Sequence, residues 1–269
     1  MNSQEGRGRT ALVTGASAGL GQAFAELLAE RGYALVITAR RVDRLEALAA
    51  TLRATHGVTV QVLPADLADP AAPAALCAAL SARGLAIDVL VNNAGYGVPG
   101  AYARTDWPTQ AAAIQVLVTA VAELTHRLLP GMIERRWGRV ANIASLAALV
   151  PAAPGHTLYA ASKAFLVKFS EALAGEVRSA GVHVCAVCPG FTYTEFHDVI
   201  GTRARVQEMP GWMWMPARPV VEQGYAAMMA GAPQVVTGRA NRAVAFGARH
   251  LPAVARAVVA RMAHSFRRL

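Results

Sequence analysis

Thr10-Ala11-Leu12-Val13-Thr14-Gly15-Ala16-Ser17-Ala18-Gly19-Leu20-Gly21 carries an apolar, β-branched run straight into three glycines and then into an Ala/Leu-rich segment. Thr10–Thr14 reads as a strand and Leu20–Arg31 as a helix, so Gly15 and Gly19 fall in the turn between them and Gly21 in the first turn of the helix. Glycine there permits a tight turn, lets backbone approach a pyrophosphate and lets the helix pack closely on the strand. The helix start presents unpaired N–H groups and a positive dipole end to phosphate oxygens. Gly15, Ser17, Ala18, Gly19, Leu20 and Gly21 are therefore candidate cofactor-binding residues. A glycine-rich loop alone is a weak signal; on a strand–loop–helix it is a strong one.

The same alternation continues along the chain. Further strands are expected at Leu35–Ala39, Val58–Leu63, Val89–Asn92, Arg139–Ile143, His183–Val187 and Gln234–Val236. Helices are expected at Arg44–Ala54, Pro70–Ala82, Thr109–Arg135, Tyr159–Ala180 and Pro219–Ala230. Nearly all-apolar strands separated by helices imply a parallel sheet covered on both faces. The expected fold is α/β: a single Rossmann-type, doubly wound parallel sheet of about seven strands. Residues 1–9 read as a polar N-terminal tail, 10–250 as the domain and 251–269 as a basic amphipathic helix.

Composition excludes several classes. The 269 residues are 54% hydrophobic and only 16% charged, too apolar for a disordered chain. Three cysteines, Cys77, Cys185 and Cys188, do not make a disulfide scaffold, and the polar start carries no signal sequence, so a cytoplasmic protein is expected. Cys185 and Cys188 form a C-x-x-C on a strand, where residues three apart face opposite ways; no second Cys/His pair completes a zinc site, and no metal is expected. The net charge of +9 arises largely from arginines beyond Glu222, where no acid occurs. No nucleic-acid motif accompanies them, so nucleic acid is not an expected partner. In the final helix Arg256, Arg261, His264 and Arg268 share a side, which makes it a candidate for peripheral membrane contact or for a subunit contact.

At the end of the second strand an acidic residue would bind a ribose 2′-hydroxyl. Here Ala39-Arg40-Arg41 stands instead: the acid is absent and Arg40 offers a guanidinium suited to a 2′-phosphate, pointing to NADP(H). Asp66, after the third strand, is positioned to accept from the adenine amino group. Ser145 closes the fifth strand, and Tyr159 and Lys163 lie four apart on one helix face. A phenol titrates near 10 and is a poor acid–base group at neutral pH; an adjacent ammonium stabilises its phenolate and lowers that pKa.

Together these residues closely resemble the classical short-chain dehydrogenase/reductase family. The matching segments are Thr14-Gly15, Gly19-Leu20-Gly21, Asn92-Asn93-Ala94-Gly95, Ser145, Tyr159 with Lys163, and Pro189-Gly190 with Thr194, over roughly residues 10–240. The resemblance implies hydride transfer between a nicotinamide and an alcohol or carbonyl carbon. Catalytic roles fall to Tyr159 as acid–base, Ser145 as the group that polarises the carbonyl, and Lys163, which would also hold the nicotinamide ribose. It further implies that Asn92 and Ala94 line the adenosine side and that Pro189, Gly190 and Thr194 line the carboxamide side. Residues 190–218 would form the substrate cover, and the protein would be a homodimer or homotetramer. Within that cover, Phe191, Tyr193, Trp212 and Trp214 are pocket candidates for a hydrophobic small molecule, although a cover packed on its own core explains them equally.

One departure stands out. The family's helix asparagine, which helps hold a relay water reaching Lys163, is replaced by Leu117, which offers no hydrogen bond. Gln115 and Thr119 lie two residues away, roughly 200° round a regular helix, and do not substitute for it. The expected protein is an NADP(H)-dependent carbonyl reductase or alcohol dehydrogenase with altered proton delivery. The alternative is a weakly catalytic or non-catalytic NADP-binding sensor or membrane-surface partner.

Overall fold

In the computed structural model, residues 4–155, 157–195, 210–257 and 259 are described. Seven short apolar segments form one parallel sheet: β1 (Thr10–Thr14), β2 (Ala34–Thr38), β3 (Val60–Val62), β4 (Val89–Asn92), β5 (Gly138–Ile143), β6 (Val182–Cys188) and β9 (Gln234–Val236). Their order is β3-β2-β1-β4-β5-β6-β9, with Leu12 opposite Val36 on one side and Leu90 on the other. Because successive side chains alternate, Val13 packs into one layer with Phe24, Leu28 and Tyr225, while Leu12 packs into the other with Leu76, Leu124 and Val177. Helices α1 (Gly19–Glu30), α2 (Val42–His56) and α7 (Ala217–Met229) supply the first layer. Helices α3 (Ala72–Ala82), α5 (Ala120–Glu134) and α6 (Thr157–Val177) supply the second. Strand order reverses between β1 and β4, which opens a crevice beyond the carboxyl ends of those strands.

The expected helix over Thr109–Arg135 is not continuous. Helix α4 (Trp107–Ile114) passes into a π-helical turn, Gln115–Thr119, before α5 begins. In that wider turn the 200° separation expected around Leu117 does not apply. Gln115 places a buried amide nitrogen without a hydrogen-bond partner there, while Thr119 is exposed. The run Trp107–Glu134 is long and apolar enough to cross a membrane, yet Val116, Leu117, Ala120 and Leu124 lie buried in the core.

Three elements lie outside the expected set. Phe191–Tyr193 (β7) and Trp214–Pro216 (β8) form a small parallel pair, too short to stand out as strands. Helix α8 (Arg239–His250) is amphipathic, but it buries only Asn241 and turns Val244, Gly247 and Ala248 to the crevice rather than into the core. Most of the C-terminal helix expected over 251–269 lies outside the described residues, as do positions 196–209 of the substrate cover.

From Gln4 onward the N-terminal segment is docked rather than a free tail. The Glu5 carboxylate accepts from the Arg31 guanidinium at 3.2 Å and from the Tyr225 hydroxyl at 2.9 Å, and Tyr225 lies 3.1 Å from the Tyr33 hydroxyl. Gly6 donates to the Arg31 carbonyl at 2.8 Å and packs against the Tyr33 ring. This cluster sits at the amino ends of the strands, opposite the crevice.

Candidate active site

A cavity of about 1650 Å³ occupies the crevice. Its floor is the β1–α1 turn, where Gly15 adopts φ +65°, a conformation that side chains disfavour; a Cβ there would lie 2.8 Å from the Ala94 backbone. Gly21 is buried in the first turn of α1, where a Cβ would collide with the Gly15 carbonyl, so it serves the close packing of helix on turn and lies behind the cavity wall. Gly15, Ser17, Ala18, Gly19 and Leu20 all line the cavity. Asn93, absent from the expected set, braces this turn: its amide donates to the Thr14 carbonyl at 2.9 Å and to the Gly15 carbonyl at 3.2 Å. The backbone N–H groups of Asn93 and Ala94 both donate to the Thr14 hydroxyl, at 2.9 and 3.0 Å.

Asn92 is placed differently from expectation. It is 2% exposed, does not line the cavity, and donates from its amide to Asn142 Oδ1 at 2.9 Å and Thr125 Oγ1 at 3.1 Å. Alternation along β4 turns its side chain into the core, while Asn93 and Ala94 face the crevice.

Arg40 and Asp66 line the same cavity and are exposed. Beside them is Arg41, whose Nε and one terminal nitrogen donate to Ser17 Oγ at 3.2 and 3.1 Å. Its other terminal nitrogen meets Glu195 at 3.1 Å. The sequence assigns Arg41 no partner, because those it meets lie 24 and 154 residues away.

Deeper in, Ser145 caps a short helical turn after β5, its hydroxyl accepting from the Ala147 N–H at 3.1 Å, and it also hydrogen-bonds Tyr159. Tyr159 and Lys163 stand one turn apart on α6, with the Lys163 ammonium 5.6 Å from the Tyr159 ring centre. Lys163 is 5% exposed and donates to the Ile143 carbonyl at 2.6 Å. Burial lowers its pKa to about 8, against the opposing influence of Cys188. Burial also raises the Tyr159 phenol above its ordinary value, against the lowering effect of the Ser145 hydrogen bond. Of the two influences on the phenol, desolvation is the larger.

Pro189, Gly190 and Thr194 line the wall facing these groups. Of the four pocket candidates only Phe191 lines the cavity. Trp214 is 8% exposed and packs under Phe191 and Tyr193, with ring centres 5.3 and 4.9 Å away, and Trp212 and Tyr193 project outward. The outer wall comes instead from Met213 and from Val244, Gly247, Ala248, Leu251 and Val254, on and just after α8. Cys185 and Cys188 are buried free thiols on β6, and no group of three metal-ligating side chains occurs among the described residues.

Residues 9–204 match the family model described as short chain dehydrogenase. The chain belongs to the short-chain dehydrogenase family. Nodulation protein G of Rhizobium sp. (strain N33) is 39% identical to it over 201 residues, 74% of this chain and 79% of the relative. A short-chain dehydrogenase from Sphingobium yanoikuyae, solved in complex with NADPH, superposes with a TM-score of 0.78 at 34% identity, covering 90% of this chain and 93% of that one. A bulky-bulky ketone specific alcohol dehydrogenase from Comamonas testosteroni superposes with a TM-score of 0.73 at 30% identity, covering 85% of each chain. The dehydrogenase is an oxidoreductase built on the Rossmann-type sheet expected from its sequence, in a family that uses nicotinamide cofactors.

Proposed function

We propose that this dehydrogenase transfers a hydride between NADP(H) and a bulky hydrophobic ketone or secondary alcohol. The observation that carries the reading is convergence: Ser145, Tyr159 and Lys163 open into the same cavity that Arg40, Arg41 and Ser17 line at its other end. The residues present suit an extended dinucleotide: the glycine turn would hold its pyrophosphate, Arg40 and Arg41 the ribose of one end and Lys163 the ribose of the other. The bound nicotinamide supplies or accepts the hydride. Tyr159 donates the proton to the carbonyl oxygen in reduction and accepts it in oxidation. Ser145 donates a hydrogen bond to the same oxygen and orients it, and the Lys163 ammonium stabilises phenolate as it forms. Leu117, 2% exposed and packed against Gly95 near Lys163, has no group to hold a relay water, so proton delivery to Lys163 is slowed or re-routed.

The substrate class follows from the wall. Phe191, Met213, Val244, Leu251 and Val254 offer apolar contact, which favours aryl ketones, steroid-like rings or acyl chains. Resemblance to the family supports a homodimer or homotetramer through α5 and α6, which expose Ile133 and Phe165. The test is NADPH oxidation with a panel of bulky ketones, with Tyr159→Phe as control. Turnover in the parent and its loss in the variant support the reading. NADPH binding with no turnover across the panel favours a nucleotide-binding sensor, and a preference for NADH overturns the cofactor assignment.

A further inference from the structure

Glu195 immediately follows Thr194, and its carboxylate reaches across the cavity mouth to the arginines that open α2. One oxygen meets Arg41 at 3.1 Å, and Arg44 holds both oxygens, at 2.7 and 2.8 Å. Ser17, Arg40, Arg41 and Glu195 all line the cavity, whereas Arg44 does not. Arg44, followed by Arg41, holds the Glu195 carboxyl below its ordinary pKa, so it is an anion at neutral pH.

We propose that Glu195 is a specificity-determining residue, an internal anion that competes with the 2′-phosphate of NADP(H) for Arg41. The inference rests on the cofactor assignment proposed above. A 2′-phosphate arriving at Arg40 and Arg41 brings nearly two negative charges to a guanidinium already bonded to a carboxylate. Like charges sharing one guanidinium repel, so phosphate binding requires Glu195 to withdraw from Arg41. Arg44 makes the withdrawal possible, because it retains the carboxylate through two hydrogen bonds while Arg41 turns to the phosphate. NAD(H), lacking the phosphate, leaves the Arg41–Glu195 pair intact and gains nothing from its release. Thr194, the adjoining residue, lies against Gly19 of the glycine turn, so the exchange at Arg41 occurs one residue from the turn that would hold the pyrophosphate.

Binding of 2′,5′-ADP and 5′-AMP, two cofactor fragments that differ only in the 2′-phosphate, tests this by calorimetry on the full chain. Both partners of the ion pair are more than a third exposed, so the competition is modest. Glu195→Gln is expected to bind 2′,5′-ADP about 3- to 10-fold more tightly, with 5′-AMP within about twofold of the parent. Arg44→Gln is expected to weaken 2′,5′-ADP, because Glu195 then depends on Arg41 alone. The double variant is expected to match Glu195→Gln, since without the carboxylate Arg44 has nothing to hold. A simple loss of positive charge near the phosphate would weaken binding equally in both backgrounds. Unchanged or weaker 2′,5′-ADP binding by Glu195→Gln overturns the inference, as does an equal gain for 5′-AMP or a double variant no tighter than Arg44→Gln. A parent protein with no preference for 2′,5′-ADP over 5′-AMP refutes the cofactor assignment itself, and the inference with it.

Discussion

Asn92→Ala separates a structural role from a cofactor role at a position where sequence resemblance and geometry disagree. The Asn92 amide is buried and donates to Asn142 Oδ1 at 2.9 Å and Thr125 Oγ1 at 3.1 Å, tying β4 to β5 and α5. After truncation Thr125 still donates to the Val121 carbonyl at 2.7 Å, so it is not stranded. Asn142 is completely buried and still donates to Ser170 at 2.9 Å, but its oxygen loses its donor. That loss costs about 1–3 kcal/mol, and removal of the side-chain atoms adds a small cavity. Part is returned, because the Asn92 oxygen is itself buried without a hydrogen-bond partner. The balance is a destabilisation of about 2 kcal/mol, which in a domain of this size lowers Tm by about 4–8 °C. Calorimetric unfolding and NADPH titration of the same sample measure both quantities, with NADPH affinity expected within about twofold of the parent. An unchanged Tm together with a tenfold or greater loss of NADPH affinity would refute the placement of Asn92 in the core.

Lys163 carries its charge below a pKa of about 8 and loses it as pH rises through that value. Ketone reduction followed as kcat/KM, which reports the free enzyme, should therefore plateau below about pH 8 and fall above it; a profile flat to about pH 10 contradicts this role. Leu117→Asn should raise turnover while lowering stability by about 2–3 kcal/mol, since it replaces a buried apolar side chain by an amide. A fall or no change in turnover counts against the relay argument. Gly247→Phe should fold normally, because nothing lies within 4 Å of a Cβ there, yet intrude on the substrate cavity. KM for bulky ketones should rise about tenfold with NADPH affinity unchanged, and an unaltered KM would remove α8 from the substrate wall.

Features written in consecutive residues are legible in the sequence. The Thr10–Gly21 segment specifies strand, turn and helix in one short run, and Tyr159 with Lys163 needs only helical spacing to share a face. The five inner strands of the main sheet can be located because burial on both faces makes them largely apolar, while the edge strands β3 and β9 are only partly buried and stand out by their valines. Features assembled from distant segments are not legible. Arg41 gains a role only through Ser17 and Glu195, and α8 joins the cavity wall only because the fold brings Val244, Gly247 and Ala248 to the crevice. Trp212 and Trp214 are conspicuous by size, but size carries no direction: one is 64% exposed and the other lies beneath the cavity wall. The charge of the N-terminal segment suggests solvent, whereas Glu5 is held by Arg31 and Tyr225.

The π-helical turn at Gln115–Thr119 changes how this region tolerates insertions and deletions. An i→i+5 turn accommodates one residue more than an α-helix would over the same path. Deleting a single residue there lets α4 and α5 join in ordinary α register, a gain in local regularity. Because the extra residue is absorbed within the turn, α4 and α5 keep their mutual orientation, and the change falls on Leu117, which loses its seat against Gly95. The deletion is thus expected to spare the fold and change only the surroundings of Leu117 and Lys163, so that its effect appears in turnover before it appears in stability.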